Sequence, residues 1–183
     1  MKEATKRLGL SAMCTLIFAG ACATFPDDIA HGVVNRWAPP SAAAGRRLMD
    51  EYGTPDDVTP NRLTWTNHGS WKRTIVWNRK PIYDSPVDLA VIKQTVDYPL
   101  TEEQAGELLA FSDSVEIDLV RGELSNRSNR EDINYLTLNL ADEIARGQKT
   151  VAEAQTAFVQ QLRLAAAGKS TPYMTGLVFP TGG

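Results

Sequence analysis

The stretch LTWTNHGSWKRTIVW, residues 63–77, decides the fold of this chain. Leu63 and Trp65 alternate with threonine, and a period of two residues is typical of a β-strand with one buried face. The run from Asn67 to Ser70 favours a turn. Because apolar residues return after that turn, the stretch predicts a β-hairpin.

Two further strands are expected on the C-terminal side of the hairpin. One runs from about Leu89 to Tyr98. The other lies at residues 115–119, where three apolar residues alternate with two acidic ones. This alternation indicates a sheet with one buried and one solvated face. The tail at residues 173–179 is expected to add an edge strand.

The remaining periodic segments predict helices. Ser41 is a candidate N-cap for the first helix, which Gly53 is expected to end in the left-handed conformation. Thr101 and Thr150 each begin a capping box, and a further helix is expected from Ser128 or Asn129 to Gly147. We therefore predict an α+β fold, with a small, mostly antiparallel sheet of about four strands packed against three or four helices.

The N-terminal residues predict export. Basic residues among the first seven are followed by an apolar run, and small residues then precede Cys22. This order is typical of a bacterial signal peptide, and the cysteine is typical of a lipoprotein acylation site. From Leu8 to Ala21 there are 14 residues, whereas a membrane span needs about 20. We predict a signal peptide at residues 1–21 and lipidation of Cys22; alternatively, an ordinary signal peptidase cuts after Ala21 or Ala23.

This interpretation divides the chain into three parts. After the signal peptide, residues 22–40 are expected to form a lipid-anchored tether, because prolines interrupt them. Residues 41–183 are expected to form a single α+β globular domain. Ala23, directly after the cysteine, favours an outer-membrane lipoprotein that faces the periplasm. The membrane is then a partner through the lipid anchor; the alternative is a soluble periplasmic or secreted protein.

Charge and cysteine content narrow the class of protein. Both cysteines, Cys14 and Cys22, lie at the predicted signal, so a cleaved chain would form no internal disulfide. Removal of residues 1–21, which carry three basic residues and one acidic residue, would leave 162 residues with a net charge of −5. A nucleic-acid partner is not expected, because such binding needs a strongly positive surface.

The chain has few candidates for catalysis. It has two histidines, His31 and His68, and no spacing typical of a zinc or iron site. We therefore expect no metal and no cofactor, and assign no catalytic residue. Paired carboxylates remain as the basis of an alternative, an envelope hydrolase that uses residues such as Asp56 or Glu123.

Tryptophan and basic residues concentrate in the predicted hairpin. In one interpretation, the tryptophans pack under a helix and the basic residues meet water. In the other, they form an exposed surface that binds another envelope protein, peptidoglycan or lipopolysaccharide. The candidate partner-binding residues are Trp65, Trp71, Lys72, Arg73, Trp77, Arg79 and Lys80. A second candidate, a corner that would bind an anion, consists of Arg121, Arg127 and Arg130.

Two resemblances rest on short motifs. At residues 41–78, a helix that ends in Tyr52-Gly53-x-Pro55 precedes a Trp-containing strand, and this segment resembles the repeat unit of small outer-membrane assembly lipoproteins. Over its full length the chain resembles an uncharacterised family of bacterial exported proteins. The motifs that carry the second resemblance are Tyr52-Gly53-x-Pro55-Asp56-x-Val58-Thr59, Trp71-Lys72-Arg73-Thr74, Arg121-Gly122-Glu123-Leu124-Ser125 and Leu138-Asn139-Leu140-Ala141. That family implies no biochemical activity.

Together these patterns predict a lipid-anchored cell-envelope protein that acts as a non-enzymatic binding or assembly module. Two alternatives stay open. One is the envelope hydrolase with paired carboxylates, and the other is a secreted soluble domain that binds a ligand.

Overall fold

The computed structural model describes residues 27–80, 90–169 and 171–180. Within them the chain forms five α-helices, six strands and one short 3₁₀ helix. The helices are α1 (Asp27–Val34), α2 (Pro39–Tyr52), α3 (Glu102–Phe111), α4 (Glu131–Ala145) and α5 (Val151–Ala166). The strands are β1 (Asp57–Thr59), β2 (Arg62–His68), β3 (Trp71–Trp77), β4 (Ile92–Asp97), β5 (Val115–Asp118) and β6 (Glu123–Ser128).

The strands form one open sheet in the order β1-β2-β3-β4-β6-β5. Every neighbouring pair is antiparallel. The predicted α+β class with an antiparallel sheet is therefore confirmed, but the sheet has six strands rather than about four, and five helices are present rather than three or four.

The predicted hairpin at residues 63–77 is confirmed. β2 and β3 pair from Arg62 opposite Trp77 to His68 opposite Trp71, which leaves a two-residue turn. Gly69, in that turn, has a φ of 57°, a conformation that glycine adopts without a steric penalty.

The sequence analysis missed two strands, β1 at the edge of the sheet and β6, which lies between β4 and β5. Its sequence, ELSNRS, is polar throughout except for Leu124, yet Glu123, Ser125 and Asn126 are buried. Hydrogen bonds explain how polar side chains occupy a central strand. Ser125 Oγ lies 2.9 Å from Thr95 Oγ1 on the neighbouring strand.

Residues 27–40 were expected to belong to an irregular tether, and the structure corrects this expectation. This segment contains α1, whose Ala30 and Val34 are fully buried. α2 begins at Pro39, a position where the missing N–H of proline costs no hydrogen bond. Ser41 is therefore not the N-cap. The predicted signal peptide and Cys22 lie outside the described residues.

The C-terminal helices match the sequence analysis at most of their ends. The capping boxes at Thr101 and Thr150 are confirmed. α4 instead has Arg130 at its N-cap position, with no side-chain cap hydrogen bond. The tail contains the 3₁₀ helix Pro172–Met174 and no strand in its described part. Asn139 holds this tail in place, since its Nδ2 donates to two tail carbonyls at 3.0 and 2.8 Å.

Two apolar clusters lie on one face of the sheet. The first is built around α3, α4 and α5, and the second around α1, α2 and the hairpin. Tyr52 at the end of α2 packs against both clusters. No helix among the described residues has both the length and the apolar character that crossing a membrane requires.

Candidate functional site

The face of the sheet opposite the two clusters carries charged side chains. Alternation along β3, β4 and β6 brings these side chains together, because paired residues in neighbouring strands point the same way. We call this surface the charged face, and it includes Lys72, Arg73, Lys93, Asp97, Glu116, Glu123 and Arg127.

Glu123 is the most buried carboxylate of the charged face, with 6 % of its side chain exposed. Its two oxygens pair with consecutive residues of β3, Lys72 at 3.0 Å and Arg73 at 2.6 Å. Lys72 also pairs with Asp97 at 2.5 Å. Burial by itself would raise the pKa of Glu123, but hydrogen bonds from Arg73 and Lys72 hold that pKa below its ordinary value. Folding therefore favours the ionised form of Glu123, which joins Lys72 and Arg73 of β3 to β6.

Cations are crowded beside this group. Lys93 and Arg127 both pair with Glu116. Burial, and then the positive charges of Arg127 and Arg73, lower the pKa of the Lys93 ammonium. One carboxylate therefore pairs with two cations, while the negative charges of Glu123 and Asp118 act on the Lys93 pKa in the opposite direction.

The excess of cations is largest at one end of the charged face. Trp77 is half-buried there, with the guanidinium carbons of Arg79 and Arg127 at 5.6 and 6.0 Å from its ring centroid. These distances suit cation–π attraction. Burial, and then the charge of Arg79, lower the pKa of the Arg127 guanidinium. We call Trp77, Arg79, Lys80 and Arg127 the basic cluster.

Two members of the basic cluster have no acidic partner among the described residues. Arg79 and Lys80 are exposed, and neither forms an ion pair with any described residue. The backbone of Arg79 is fixed, because its N–H donates to Ser41 Oγ at 2.9 Å. The cluster therefore joins residues from both sequence candidates, three from the hairpin set and Arg127 from the proposed corner.

The other hairpin tryptophans do not belong to an exposed surface, which corrects the surface interpretation for them. Trp65 and Trp71 each expose 2 % of their area. Trp65 Nε1 donates to the Gly53 carbonyl at 3.0 Å, and Trp71 Nε1 donates to Glu131 at 2.6 Å. Both side chains are parts of the apolar clusters.

The three arginines of the predicted corner do not meet. Arg121 lies in the β5–β6 turn and pairs with Asp118 at 3.2 Å. Arg127 and Arg130 lie at the opposite end of β6, and a six-residue strand is about 20 Å long. Arg130 pairs with Asp132. The predicted corner is therefore corrected: Arg121 lies at one end of β6, whereas Arg127 and Arg130 lie at the other end.

A polar group that the sequence analysis missed surrounds Glu131, the first residue of α4. Its Oε1 accepts hydrogen bonds from Trp71 Nε1 and Gln94 Nε2, both at 2.6 Å, and from the Tyr52 hydroxyl. Asn134 Nδ2 in turn donates to Gln94 Oε1 at 2.7 Å. These five residues form the Glu131 network, which lies between the two apolar clusters.

Glu51 lies beside the Glu131 network at the exposed end of α2. Burial, and then the negative charge of Glu131, raise the pKa of the Glu51 carboxyl. The hydrogen bond between the two carboxyls acts in the same direction. The His68 ring stacks on Tyr52 at 4.0 Å between centroids. The protonated form of Glu51 is therefore favoured beside the Glu131 network.

Asp56, a carboxylate proposed from sequence for the hydrolase alternative, contacts β2. Asp56 Oδ2 accepts from the backbone N–H of Thr66 at 2.7 Å and from its hydroxyl at 2.8 Å. It therefore fixes the chain between α2 and β2. Among residues 27–80, 90–169 and 171–180, no three histidine, cysteine or acidic side chains are grouped as metal ligands.

Comparison with known proteins gives no match. No protein-family model, no curated protein and no solved structure is similar to this chain. The function therefore has to be argued from the residues themselves.

Proposed function

We propose that this protein is a lipid-anchored cell-envelope protein that acts as a non-enzymatic binding module, and that the basic cluster binds a phosphate-bearing envelope lipid surface. The observation that carries the proposal is the place of Arg79 and Lys80: both are exposed, Arg79 lies over the Trp77 ring, and neither pairs with an acidic residue in the part of the chain that the structure describes. Arginine binds phosphate through paired N–H groups, and tryptophan is enriched at membrane interfaces.

The balance of charge supports this partner. The basic cluster holds three cations and no carboxylate of its own, and its Arg127 shares Glu116 with Lys93. The whole chain, in contrast, has a net charge of −3. An anionic surface would meet a locally positive region on an acidic protein, and this attraction acts over about a Debye length.

The position of the N-terminal segment also supports the proposal. Trp37 Nε1 donates to the Pro60 carbonyl at 2.7 Å, and the Ala38 N–H donates to Asn78 Oδ1 at 3.0 Å. Both contacts lie at the end of the hairpin that carries Trp77 and Arg79. Only four residues lie between Cys22 and Asp27, the start of α1, and a step of five positions extends at most about 18 Å. An acyl group on Cys22 would hold this end of the sheet close to the membrane.

Vesicle binding tests the lipid surface. The protein with Cys22→Ser, which removes any acyl anchor, is mixed with vesicles of anionic or zwitterionic phospholipid and sedimented. A basic residue near an anionic surface contributes about 1 kcal/mol. The double variant Arg79→Gln/Lys80→Gln should therefore bind anionic vesicles roughly thirtyfold more weakly, since two such residues are lost.

The matched control is a pair of exposed arginines at opposite ends of the sheet. Arg79→Gln should weaken binding roughly fivefold, whereas Arg121→Gln should leave it unchanged. Equal effects of both variants, or equal binding to zwitterionic vesicles, would contradict the proposed surface.

The anchor has its own test. The intact mass of the protein from a detergent-phase membrane fraction should include acyl chains, and Cys22→Ser should remove them. A lipid-free mass in the aqueous phase would reject the lipoprotein and favour the secreted binding domain.

One observation favours the alternative of an envelope hydrolase, namely the raised pKa of Glu51 beside Glu131. A raised pKa is what a carboxyl that acts as a general acid needs. If the pair is catalytic, Glu51→Gln should abolish cleavage of a peptidoglycan or peptide substrate while the melting temperature is kept. Cleavage that persists in this variant would reject the alternative.

A further inference from the structure

The two edges of the sheet differ in what covers them. β1 forms one edge and contacts α1. β5 forms the other edge, and on its outer side it pairs with no described strand. A free strand edge presents backbone N–H and C=O groups that can pair with another chain. The outer edge of β5 is therefore the place where an added strand would extend the sheet.

The hydrogen bonds between β5 and β6 show which backbone groups of β5 point outward. The Arg127 N–H donates to the carbonyl of Ser114, the residue opposite it, at 3.0 Å. Hydrogen-bonded and non-hydrogen-bonded pairs alternate along an antiparallel ladder, so the backbone groups of Val115 and Ile117 point away from β6. The Val115 N–H donates to the Ser112 carbonyl at 3.2 Å. The C=O of Val115 and both backbone groups of Ile117 have no partner among the described residues.

The side chains of β5 alternate between an apolar and an acidic row. Val115 and Ile117 pack in the first apolar cluster, and Ile117 stays partly exposed. Glu116 and Asp118 lie on the opposite face, since successive side chains of a strand point to opposite faces. Directly opposite residues of neighbouring strands share a face and contact each other. An added strand would therefore place apolar residues beside the first row and favour basic residues beside the second.

The charge of the surrounding surface favours a cationic partner. Residues 102–118 include six acidic and no basic residues. Two of the six pair with basic side chains of the described chain. The other four are exposed and form no ion pair with a described residue, namely Glu102, Glu103, Glu107 and Asp113. Such a surface attracts a positively charged chain and repels a negatively charged one.

A second copy of this chain does not suit the edge. In a symmetric antiparallel pair, the free groups of Ile117 would pair with Val115 or Ile117 of that copy. Glu116 would then lie opposite Glu116 or Asp118 of the copy, and like charges directly opposite each other destabilise a sheet. The occupant that the charges favour is therefore a different polypeptide, one that carries basic residues.

An apolar crevice of about 240 Å³ adjoins the start of the free edge. Ser112, which lines the crevice, lies on the outer side of β5, because its carbonyl accepts the outward N–H of Val115. A cavity of about 150 Å³ is enough for a benzene ring, so the crevice has room for an aromatic side chain. The residues that line it are Phe111, Ser112, Gln155, Phe158 and Val159.

We propose that the outer edge of β5 binds an extended segment of a partner polypeptide, in which apolar residues alternate with lysine or arginine and an aromatic side chain fills the crevice. Backbone hydrogen bonds supply affinity in this mode of binding, and the crevice and the acidic surface supply specificity. The inference goes beyond the proposed function, because it uses neither the basic cluster nor a lipid.

Synthetic peptides test the proposal on the Cys22→Ser protein. The probe is a labelled peptide that alternates valine and lysine and ends in phenylalanine, and fluorescence anisotropy measures its binding. The valines lie opposite Val115 and Ile117, so their N–H groups donate to β5 and those of the lysines point away. N-methylation of the valines should therefore weaken binding at least about tenfold, whereas N-methylation of the lysines should leave it unchanged. Glutamate in place of lysine should weaken binding, and salt should reduce this difference.

Variants of the protein provide matched controls. Val159 and Val178 are both exposed, but only Val159 lines the crevice. Val159→Asn should therefore weaken binding of the lysine peptide, and Val178→Asn should not. Asp113→Asn should weaken binding by up to about fivefold, the value of one exposed ion pair, whereas Asp50→Asn, at an exposed position of α2, should not. Circular dichroism confirms that each variant is folded.

The outcomes decide the proposal without reference to lipid binding. No binding of the lysine peptide, or equal binding of the two N-methylated peptides, would overturn it. Equal binding of the glutamate peptide, or equal effects of Val159→Asn and Val178→Asn, would overturn it as well. Slower hydrogen exchange of the Ile117 amide in the peptide complex would support strand addition. Arg79→Gln/Lys80→Gln changes no group at β5 and should leave peptide binding intact even where it weakens vesicle binding.

Discussion

Two pairs of basic residues, Lys72-Arg73 and Arg79-Lys80, look alike in the sequence but differ in the structure. Lys72 and Arg73 both pair with Glu123, a carboxylate with 6 % of its side chain exposed. Arg79 and Lys80 have no ion pair with a described residue and stay exposed. The first pair holds β3 to β6, and the second is available to a partner.

The same difference separates the tryptophans at the two ends of β3. Trp71 is 2 % exposed and hydrogen-bonded to Glu131. Trp77 is half-buried under two guanidinium groups and belongs to neither apolar cluster. Both ends of β3 carry a tryptophan followed within three positions by two basic residues, so burial and partner carboxylates, rather than residue type, distinguish the two ends.

The largest expected effect is the contrast between these tryptophans. Trp71→Ala should lower the free energy of unfolding by about 3–5 kcal/mol, because it leaves a cavity and removes a donor from Glu131. Trp77→Ala should cost less than about 2 kcal/mol, since its ring is already partly in water. Chemical denaturation measures the free energy of unfolding of both variants. Equal losses would contradict the expected difference between the two tryptophans.

The two basic pairs should also differ in how much they contribute to the stability of the fold. Lys72→Glu/Arg73→Glu leaves Glu123 next to two new carboxylates, and we expect a loss of about 2–4 kcal/mol after allowance for partial exposure. Arg79→Glu/Lys80→Glu should change stability by less than about 1 kcal/mol. Thermal unfolding checks this, and a destabilised second variant would mean that Arg79 and Lys80 are structural.

The dependence of protein stability on pH tests the role of Glu123. Its pKa in the folded protein is below its ordinary value of 4.5, so folding favours its ionised form. The stability that it contributes is present above pH 4.5 and is lost as the pH falls through the lower, folded-state pKa. Glu123→Gln should therefore be less stable than the wild type at pH 7, and the gap should narrow in acid. A gap that does not depend on pH would contradict this.

The smallest effect is expected at Glu51. Its pKa is raised in the folded protein, so folding favours its protonated form and ionisation at neutral pH weakens the fold. Glu51→Gln should stabilise the protein by less than about 1 kcal/mol at pH 7, because the side chain is exposed. The gain should disappear below pH 4. A loss of stability at pH 7 would show that the ionised side chain is favourable.

Local patterns predicted the parts of the fold that are built from neighbouring residues. The β2–β3 hairpin and both capping boxes depend on residues a few positions apart, and all three are present. β6 was missed because its polar sequence resembles a loop. Its burial depends on partners in β4 and β5, which no local pattern includes. α1 was missed because eight residues flanked by prolines give a weak helical signal.

The Glu131 network was beyond sequence analysis for the same reason. Tyr52 and Trp71 reach Glu131 across 79 and 60 positions of the chain. The basic cluster was predicted in part, since Trp77, Arg79 and Lys80 are neighbours in sequence. Arg127 joins them only because β4 and β6 pair in the observed register.

The most direct test asks which end of β2 approaches the surface of an anionic membrane. Asn61, next to the basic cluster, and Ser70, in the β2–β3 turn, are both exposed. Asn61→Cys and Ser70→Cys, each with Cys14→Ser and Cys22→Ser, are labelled with a polarity-sensitive fluorophore and mixed with anionic vesicles. If the basic cluster faces the membrane, the emission of the label at residue 61 should shift to the blue and that at residue 70 should not. A shift at residue 70 alone, or no shift at either residue, would contradict it.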